Sequence, residues 1–206
     1  MPGVVLLSLL VPLADVPVAE RQNILRGTMR ALLREVAKVP TLANVDLAAR
    51  ALTGNDLGLT SQFWNETVSR TLGTANTYEN SAINGTTERD RVIGIYGVYV
   101  ASSSYDSVGS LRFSVGGRRT HQWDLQAVMA DEPWRHFREQ RTLVIYQGEV
   151  PGVMDPVIIP PSTGILVQHY VRGATNQGVQ PSELVFLGVV LEPTAGGGAQ
   201  LQLAEK

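Results

Sequence analysis

The chain has 206 residues and a formal net charge of −2, and 17% of its residues are charged. This length suits one all-β domain of ordinary size with some helical additions. The absence of cysteine excludes disulfides and thiolate metal sites. The slight acidity, with no Lys or Arg before Asp15, argues against bulk packaging of nucleic acid.

The first part of the chain, residues 1–73, is predicted to be an N-terminal arm followed by helices. Residues 4–13 form an apolar run that is broken by Pro12 and is too short to span a bilayer. The run lacks the positive n-region of a secretory signal. We therefore expect a buried strand or arm here, with cleavage within residues 1–19 as the alternative. Two short helices are predicted at 45–52 and 61–72.

Residues 17–39 are predicted to form the main helix. Asp15 fits the N-cap position, Pro17 suits the first turn, and Pro40 ends the segment. Apolar residues recur at helical spacing, namely Ile24, Leu25, Met29, Leu32, Leu33 and Val36. Because an isolated helix of this length is marginal in water, its apolar stripe needs a partner. We expect that partner to be a neighbouring subunit, with packing onto the chain's own sandwich as the alternative.

A basic ridge runs along the same helix. Arg26, Arg30, Arg34 and Lys38 recur every four residues and therefore lie on one side of it. This pattern fits contact with an acidic surface, which could be a neighbouring subunit, nucleic acid or anionic lipid headgroups. The alternative is an ordinary solvated face, which Glu20 and Glu35 favour by diluting the positive charge.

The rest of the chain is predicted to be rich in β-structure. Residues 74–90 are Asn- and Thr-rich and contain Asn84-Gly85, so they are interpreted as a polar connector. Strands are predicted at 92–100, 111–115, 118–128, 143–147, 157–159, 165–171 and 184–191, with a tight hairpin turn at Gly116-Gly117. Short strands without alternating helices predict an antiparallel sandwich or barrel over residues 91–194. Residues 195–206 are predicted to be a flexible tail.

No constellation of residues predicts catalysis. His121, His136 and His169 show no metal-ligand spacing. Asp131 and Glu132 are adjacent, whereas a glycosidase needs two carboxylates held apart across a sugar ring. The sequence therefore predicts a protein that is not an enzyme, with no catalytic residue, metal, cofactor or small-molecule substrate.

Aromatic and aliphatic side chains supply candidate contact surfaces. Trp123, Trp134 and Phe137 are interpreted as interface residues, with a sugar-stacking platform as the alternative. The complete set of candidate interface residues is Leu25, Met29, Leu32, Leu33, Trp123, Trp134 and Phe137.

The C-terminal half carries a family resemblance. The segments VIIPPSTGILVQHYV (157–171) and ELVFLGVVLEP (183–193) resemble the last strands of single jelly-roll capsid proteins from icosahedral bacterial or archaeal viruses. The resemblance implies that the sandwich or barrel over residues 91–194 is jelly-roll-like. It also implies a structural virion component, in the shell, at a vertex or as a cementing protein. Such a protein would bind copies of itself or other capsid proteins and would be located in the virion. The alternatives are a phage tail or spike domain, a carbohydrate-binding β-sandwich and, third, a glycan-processing enzyme.

Overall fold

The computed structural model describes residues 8–59, 69–70, 78–100, 110–124, 142–147, 153–170, 180–181 and 184–194. Its strands are β1 (Ser8–Pro12), β2 (Leu47–Ala51), β3 (Ser69–Arg70), β4 (Tyr78–Thr86), β5 (Val92–Val100), β6 (Ser110–Val115), β7 (Arg118–Asp124), β8 (Thr142–Gln147), β9 (Val157–Ile159), β10 (Gly164–Tyr170), β11 (Gln180–Pro181) and β12 (Leu184–Pro193). Helix α1 spans Val18–Val36, and 3-10 helices lie at Leu13–Asp15 and Gly54–Leu57. None of the described helices is long and apolar enough to cross a membrane.

Antiparallel strands form two main sheets that pack face to face. The six-stranded sheet has the order β1-β8-β5-β12-β2, with β9 paired to β5. The four-stranded sheet has the order β4-β10-β6-β7. Their shared core contains Ile93, Ile95, Leu143, Ile145, Phe186 and Val190 from the first sheet and Leu111, Phe113, Trp123, Ile165 and Val167 from the second. The prediction of a mainly β sandwich with an N-terminal helix is confirmed, whereas jelly-roll connectivity stays a prediction.

Helix α1 covers the other face of the six-stranded sheet. Leu32 and Val36 pack with Val92, Val189 and Leu191 in a second buried cluster. Because both faces of the six-stranded sheet are covered, the sequences of β5, β8 and β12 are nearly continuous apolar runs. The apolar stripe of α1 therefore finds its partner within the chain, which is the alternative to the neighbouring subunit that we expected.

One glycine allows this close packing of α1 on the sheet. A Cβ atom added at Gly94 of β5 would lie 3.0 Å from the side chain of Leu32. A larger residue would therefore require the Leu32 side chain to shift by a few tenths of an ångström.

Three local predictions are wrong, and a fourth is wrong at the two residues of it that the structure describes. Residues 45–52 contain strand β2 in place of a helix, because pairing with β12 outweighs the helix propensity of an Ala-rich segment. Residues 74–90 contain strand β4, in which Asn84-Gly85 pairs with β10 and forms no turn. The N-cap of α1 is Pro17, without a side-chain hydrogen bond, and not Asp15. Residues 69–70, at the end of the predicted helix 61–72, form strand β3, and residues 61–68 lie outside the described residues.

Candidate functional site

The outer face of the four-stranded sheet carries a polar and aromatic surface. Ile165 and Val167 of β10 are buried in the core, so strand alternation places Gln168 and Tyr170 on the opposite face. The register puts Tyr170 directly across from Tyr78 of β4 and puts Gln168 directly across from Arg112 of β6. Three adjacent strands thus bring these side chains to one area.

Contacts between these side chains fix their positions. The Tyr78 and Tyr170 rings lie 5.2 Å apart, centroid to centroid, and are tilted by 58°. The Cζ atom of Arg112 lies 3.4 Å from the centroid of the Tyr78 ring. Arg112 Nη1 donates a hydrogen bond to Gln168 Oε1 at 3.3 Å. We call this group of Tyr78, Tyr170, Arg112 and Gln168 the tyrosine–arginine platform.

Arg112 retains hydrogen-bonding capacity in this arrangement. Its guanidinium reaches across β10 to lie over the Tyr78 ring in a cation–π contact. Among the described residues its Nε is buried without a partner, and its Nη groups make only the bond to Gln168. An oxygen-rich ligand would supply acceptors for the remaining Nη–H donors.

A second polar group forms an ion-pair network at one end of the six-stranded sheet. Arg50 of β2 donates to both carboxylate oxygens of Asp56, at 2.7 and 2.6 Å, and to Glu192 of β12 at 2.8 Å. Arg91 contacts Asp56 at 3.2 Å and Glu192 at 3.0 Å. Asp56 also accepts hydrogen bonds from the backbone and hydroxyl of Thr53, at 2.9 and 2.7 Å. The network ties together two strands and the 3-10 helix between them.

The network keeps its carboxylates ionised. Burial acts to raise the pKa of Asp56, but hydrogen bonds from Arg50 and Thr53 outweigh it and lower that pKa below its ordinary value. The hydrogen bond from Arg50 likewise lowers the pKa of Glu192. The hydrogen bond with Asp56 raises the pKa of Arg50 further above its ordinary value. Carboxylates in this state are poor proton donors at neutral pH, so the pair is unsuited to general acid catalysis.

The side chain of His121 is only 10% exposed. His121 Nε2 is 3.5 Å from Asp155, and its Nδ1 is buried without a partner among the described residues. The neighbouring Trp123 donates from Nε1 to Ser8 Oγ at 3.1 Å. Within the described part of the chain, no group of three or more His, Asp or Glu side chains could hold a metal ion.

Two candidate interface residues lie inside the protein. Leu32 is 0% exposed and Trp123 is 5% exposed, so neither offers surface to a partner or a sugar, and the predictions for both are wrong. Leu32 packs between α1 and the six-stranded sheet, and Trp123 packs between the two sheets against Phe113. Leu25 and Leu33 are exposed, and Met29 is partly buried.

Other candidate residues fall elsewhere. Trp134, Phe137, His136, Asp131 and Glu132 lie outside the described residues. The backbone of His169 in β10 pairs with Leu111 and Glu79.

The sequence did not predict the tyrosine–arginine platform, because Tyr78 falls in the segment interpreted as a connector. Strand alternation in β6 and β10 was the one signal that could have indicated it, since it places Arg112, Gln168 and Tyr170 on one face.

Comparison with known proteins gives little guidance. No protein-family model matches the chain, and no curated protein matches it. A similar solved structure is titled "Crystal structure of Agl-KA catalytic domain", with 13% sequence identity and a TM-score of 0.20. The match covers 78% of this chain and 28% of that chain, so this protein spans well under half of that neighbour's length. A likeness at this TM-score supports no argument about fold or activity.

The prediction of a structural virion component receives no support from these comparisons, which match the chain to no family model and to no curated protein. We withdraw that function. The family resemblance, the virion location and the absence of enzymatic activity stay predictions that no comparison tests.

Proposed function

We propose that this protein is a glycan-binding β-sandwich that holds a saccharide on the tyrosine–arginine platform. The observation that carries the proposal is the stacking of Arg112 on Tyr78 beside Tyr170, on the outer face of the four-stranded sheet. This placement differs from the sugar-stacking alternative based on Trp123, whose ring is buried.

The platform combines the two chemistries that a sugar requires. A pyranose ring has an apolar C–H face that packs on aromatic rings, and it has hydroxyl groups around its edge that exchange hydrogen bonds. Arg112 covers one face of Tyr78, so we assign the stacking role to Tyr170. The Nη groups of Arg112 and the amide of Gln168 are assigned to the hydroxyl groups.

The rigidity of the site favours binding. All four side chains stand on paired strands of one sheet, and Arg112 is held by both a ring and an amide. A group that is already ordered loses less conformational entropy when it binds. A charged guanidinium also gives the stronger class of hydrogen bond, which favours acidic sugars over neutral ones.

Two measurements test the proposal. The first is affinity electrophoresis through gels that contain neutral or acidic polysaccharides. The second is titration calorimetry with a glycan that retards the protein in such a gel. We expect Tyr170→Ala and Arg112→Ala each to weaken binding about tenfold, corresponding to the loss of ~1–2 kcal/mol of contact energy. Tyr99→Ala is the matched control, because Tyr99 is also partly buried but lies on the six-stranded sheet. Equal binding by all three variants, or no retardation by any glycan, would refute the proposal.

A further inference from the structure

Three kinds of residue follow one another around the axis of helix α1, namely buried residues, exposed leucines and exposed basic residues. Ile24, Thr28, Leu32 and Val36 are buried against the sheet. One position after a buried residue, and about 100° around the helix, lie the exposed Leu25 and Leu33. One position further, about 200° around from the buried face, lie Arg26, Arg30 and Arg34, and Lys38 follows just past the end of the helix; all four are exposed. These last four residues are the basic ridge of the sequence analysis, and we call them the basic crown from here on.

Most of the basic crown has no counter-charge among the residues that the structure describes. Lys38 pairs with Glu35 at 2.7 Å. Arg26, Arg30 and Arg34 make no ion pair with any residue that the structure describes. Their spacing of four residues sets neighbouring charges about 6 Å apart along the axis. Three like charges in a row repel one another, and an external anionic surface would remove that cost.

An apolar flank lies along one side of the crown. Val18 is 77% exposed, Leu25 is 43% exposed and Leu33 is 53% exposed. These residues are seven and eight positions apart, so they share one side of the helix. Exposed leucines next to arginines are typical of helices that lie in a lipid headgroup region.

We propose that α1 docks on an anionic lipid surface, with the basic crown against the headgroups and Leu33, Leu25 and Val18 in the interfacial layer. The phosphates of nucleic acid would complement the arginines, but they offer no apolar phase for the leucines. A bilayer surface offers both an anionic layer and an apolar boundary. The chain's net charge of −2 makes attraction depend on this face and not on the protein as a whole.

Co-sedimentation of the full chain with vesicles tests the proposal. The two vesicle compositions are phosphatidylcholine alone and phosphatidylcholine mixed with phosphatidylserine. We expect binding to the mixed vesicles only, and we expect it to fall as salt is raised. Each arginine near an anionic surface contributes about 1 kcal/mol, equivalent to about fivefold in affinity. Replacing Arg26, Arg30 and Arg34 with Gln should therefore weaken binding about a hundredfold.

A charge-matched variant provides the control. Arg89, Arg118 and Arg119 are exposed and lie on other elements, so their replacement with Gln gives the same net charge without touching α1. This control should bind mixed vesicles like the unaltered chain, and Leu33→Ser with Leu25→Ser should bind a few-fold more weakly. Equal binding to both vesicle types, or equal loss in the crown variant and the control, would overturn the proposal. A crown-dependent affinity for oligonucleotides in place of vesicles, or crown-dependent dimerisation seen by light scattering, would overturn it as well.

Discussion

Asp56 carries a charge although its side chain is only 1% exposed. It tolerates burial because Arg50 forms two hydrogen bonds with it, Arg91 adds a third contact, and Thr53 donates from both its backbone and its hydroxyl. Sequence reasoning could not find this network, because Arg50 and Glu192 are 142 residues apart and no local spacing links them.

Removing this carboxylate should destabilise the fold measurably. We expect Asp56→Ala to lower the free energy of unfolding by about 2–3 kcal/mol. This is less than the ~3–5 kcal/mol typical of fully buried pairs, because the Arg50 side chain is 33% exposed and solvent screens it. Denaturant titration measures the change. Glu88→Ala is the control, since Glu88 is 63% exposed and its pair with Arg91 should contribute under about 0.5 kcal/mol.

The same network should make the protein sensitive to acid. The pKa values of Asp56 and Glu192 lie below their ordinary values of 3.8 and 4.5, so the unfolded chain binds protons that the folded chain does not. Their contribution to stability is therefore complete above about pH 5 and is lost as the pH falls through the lowered pKa values. In Asp56→Ala the loss of stability between pH 5 and pH 3 should be smaller than in the unaltered chain. An unchanged acid dependence would show that Asp56 is not a source of it.

At the scale of elements, the strands that were predicted correctly are those whose pattern is set by burial. β5, β8, β10 and β12 are apolar or alternating because one or both of their faces lie in a core. β2 and β4 were missed because an Ala-rich and an Asn-rich segment take their conformation from the strands they pair with. Local composition could not indicate those partners. Because β4 was not predicted as a strand, Tyr78 could not be assigned to a face of the sheet.

Packing of α1 on the sheet can be tested with two neighbouring leucines. Leu32 is 0% exposed and packs against the six-stranded sheet, whereas Leu33 is 53% exposed. We expect Leu32→Ala to lower the free energy of unfolding by about 2–5 kcal/mol, because it leaves a cavity between helix and sheet. Leu33→Ala, which deletes the same atoms from a solvent-facing site, should change it by about 0.5 kcal/mol or less. Equal effects in thermal denaturation would mean that α1 is not anchored as described.

At the scale of the whole molecule, the two proposed surfaces lie on opposite sides of the sandwich. Helix α1 covers the outer face of the six-stranded sheet, and the tyrosine–arginine platform occupies the outer face of the four-stranded sheet. A chain docked through α1 would therefore direct its platform away from the lipid. The two proposals nevertheless rest on separate residues, so either one can fail without the other.

The dependence of the sandwich on residues 1–73 supplies the last prediction. β1 and β2 form the two ends of the six-stranded path by pairing with β8 and β12, and α1 shields the face that contains Val92, Val189 and Leu191. A fragment of residues 74–206 would expose these apolar residues and two unpaired strand edges. We expect it to be unfolded or aggregated by circular dichroism and rapidly cleaved by protease. Addition of a separate 1–73 fragment should restore protection, because it returns both strands and the helix. A protease-resistant 74–206 fragment with cooperative thermal unfolding would instead show that the N-terminal segment is an arm independent of the sandwich.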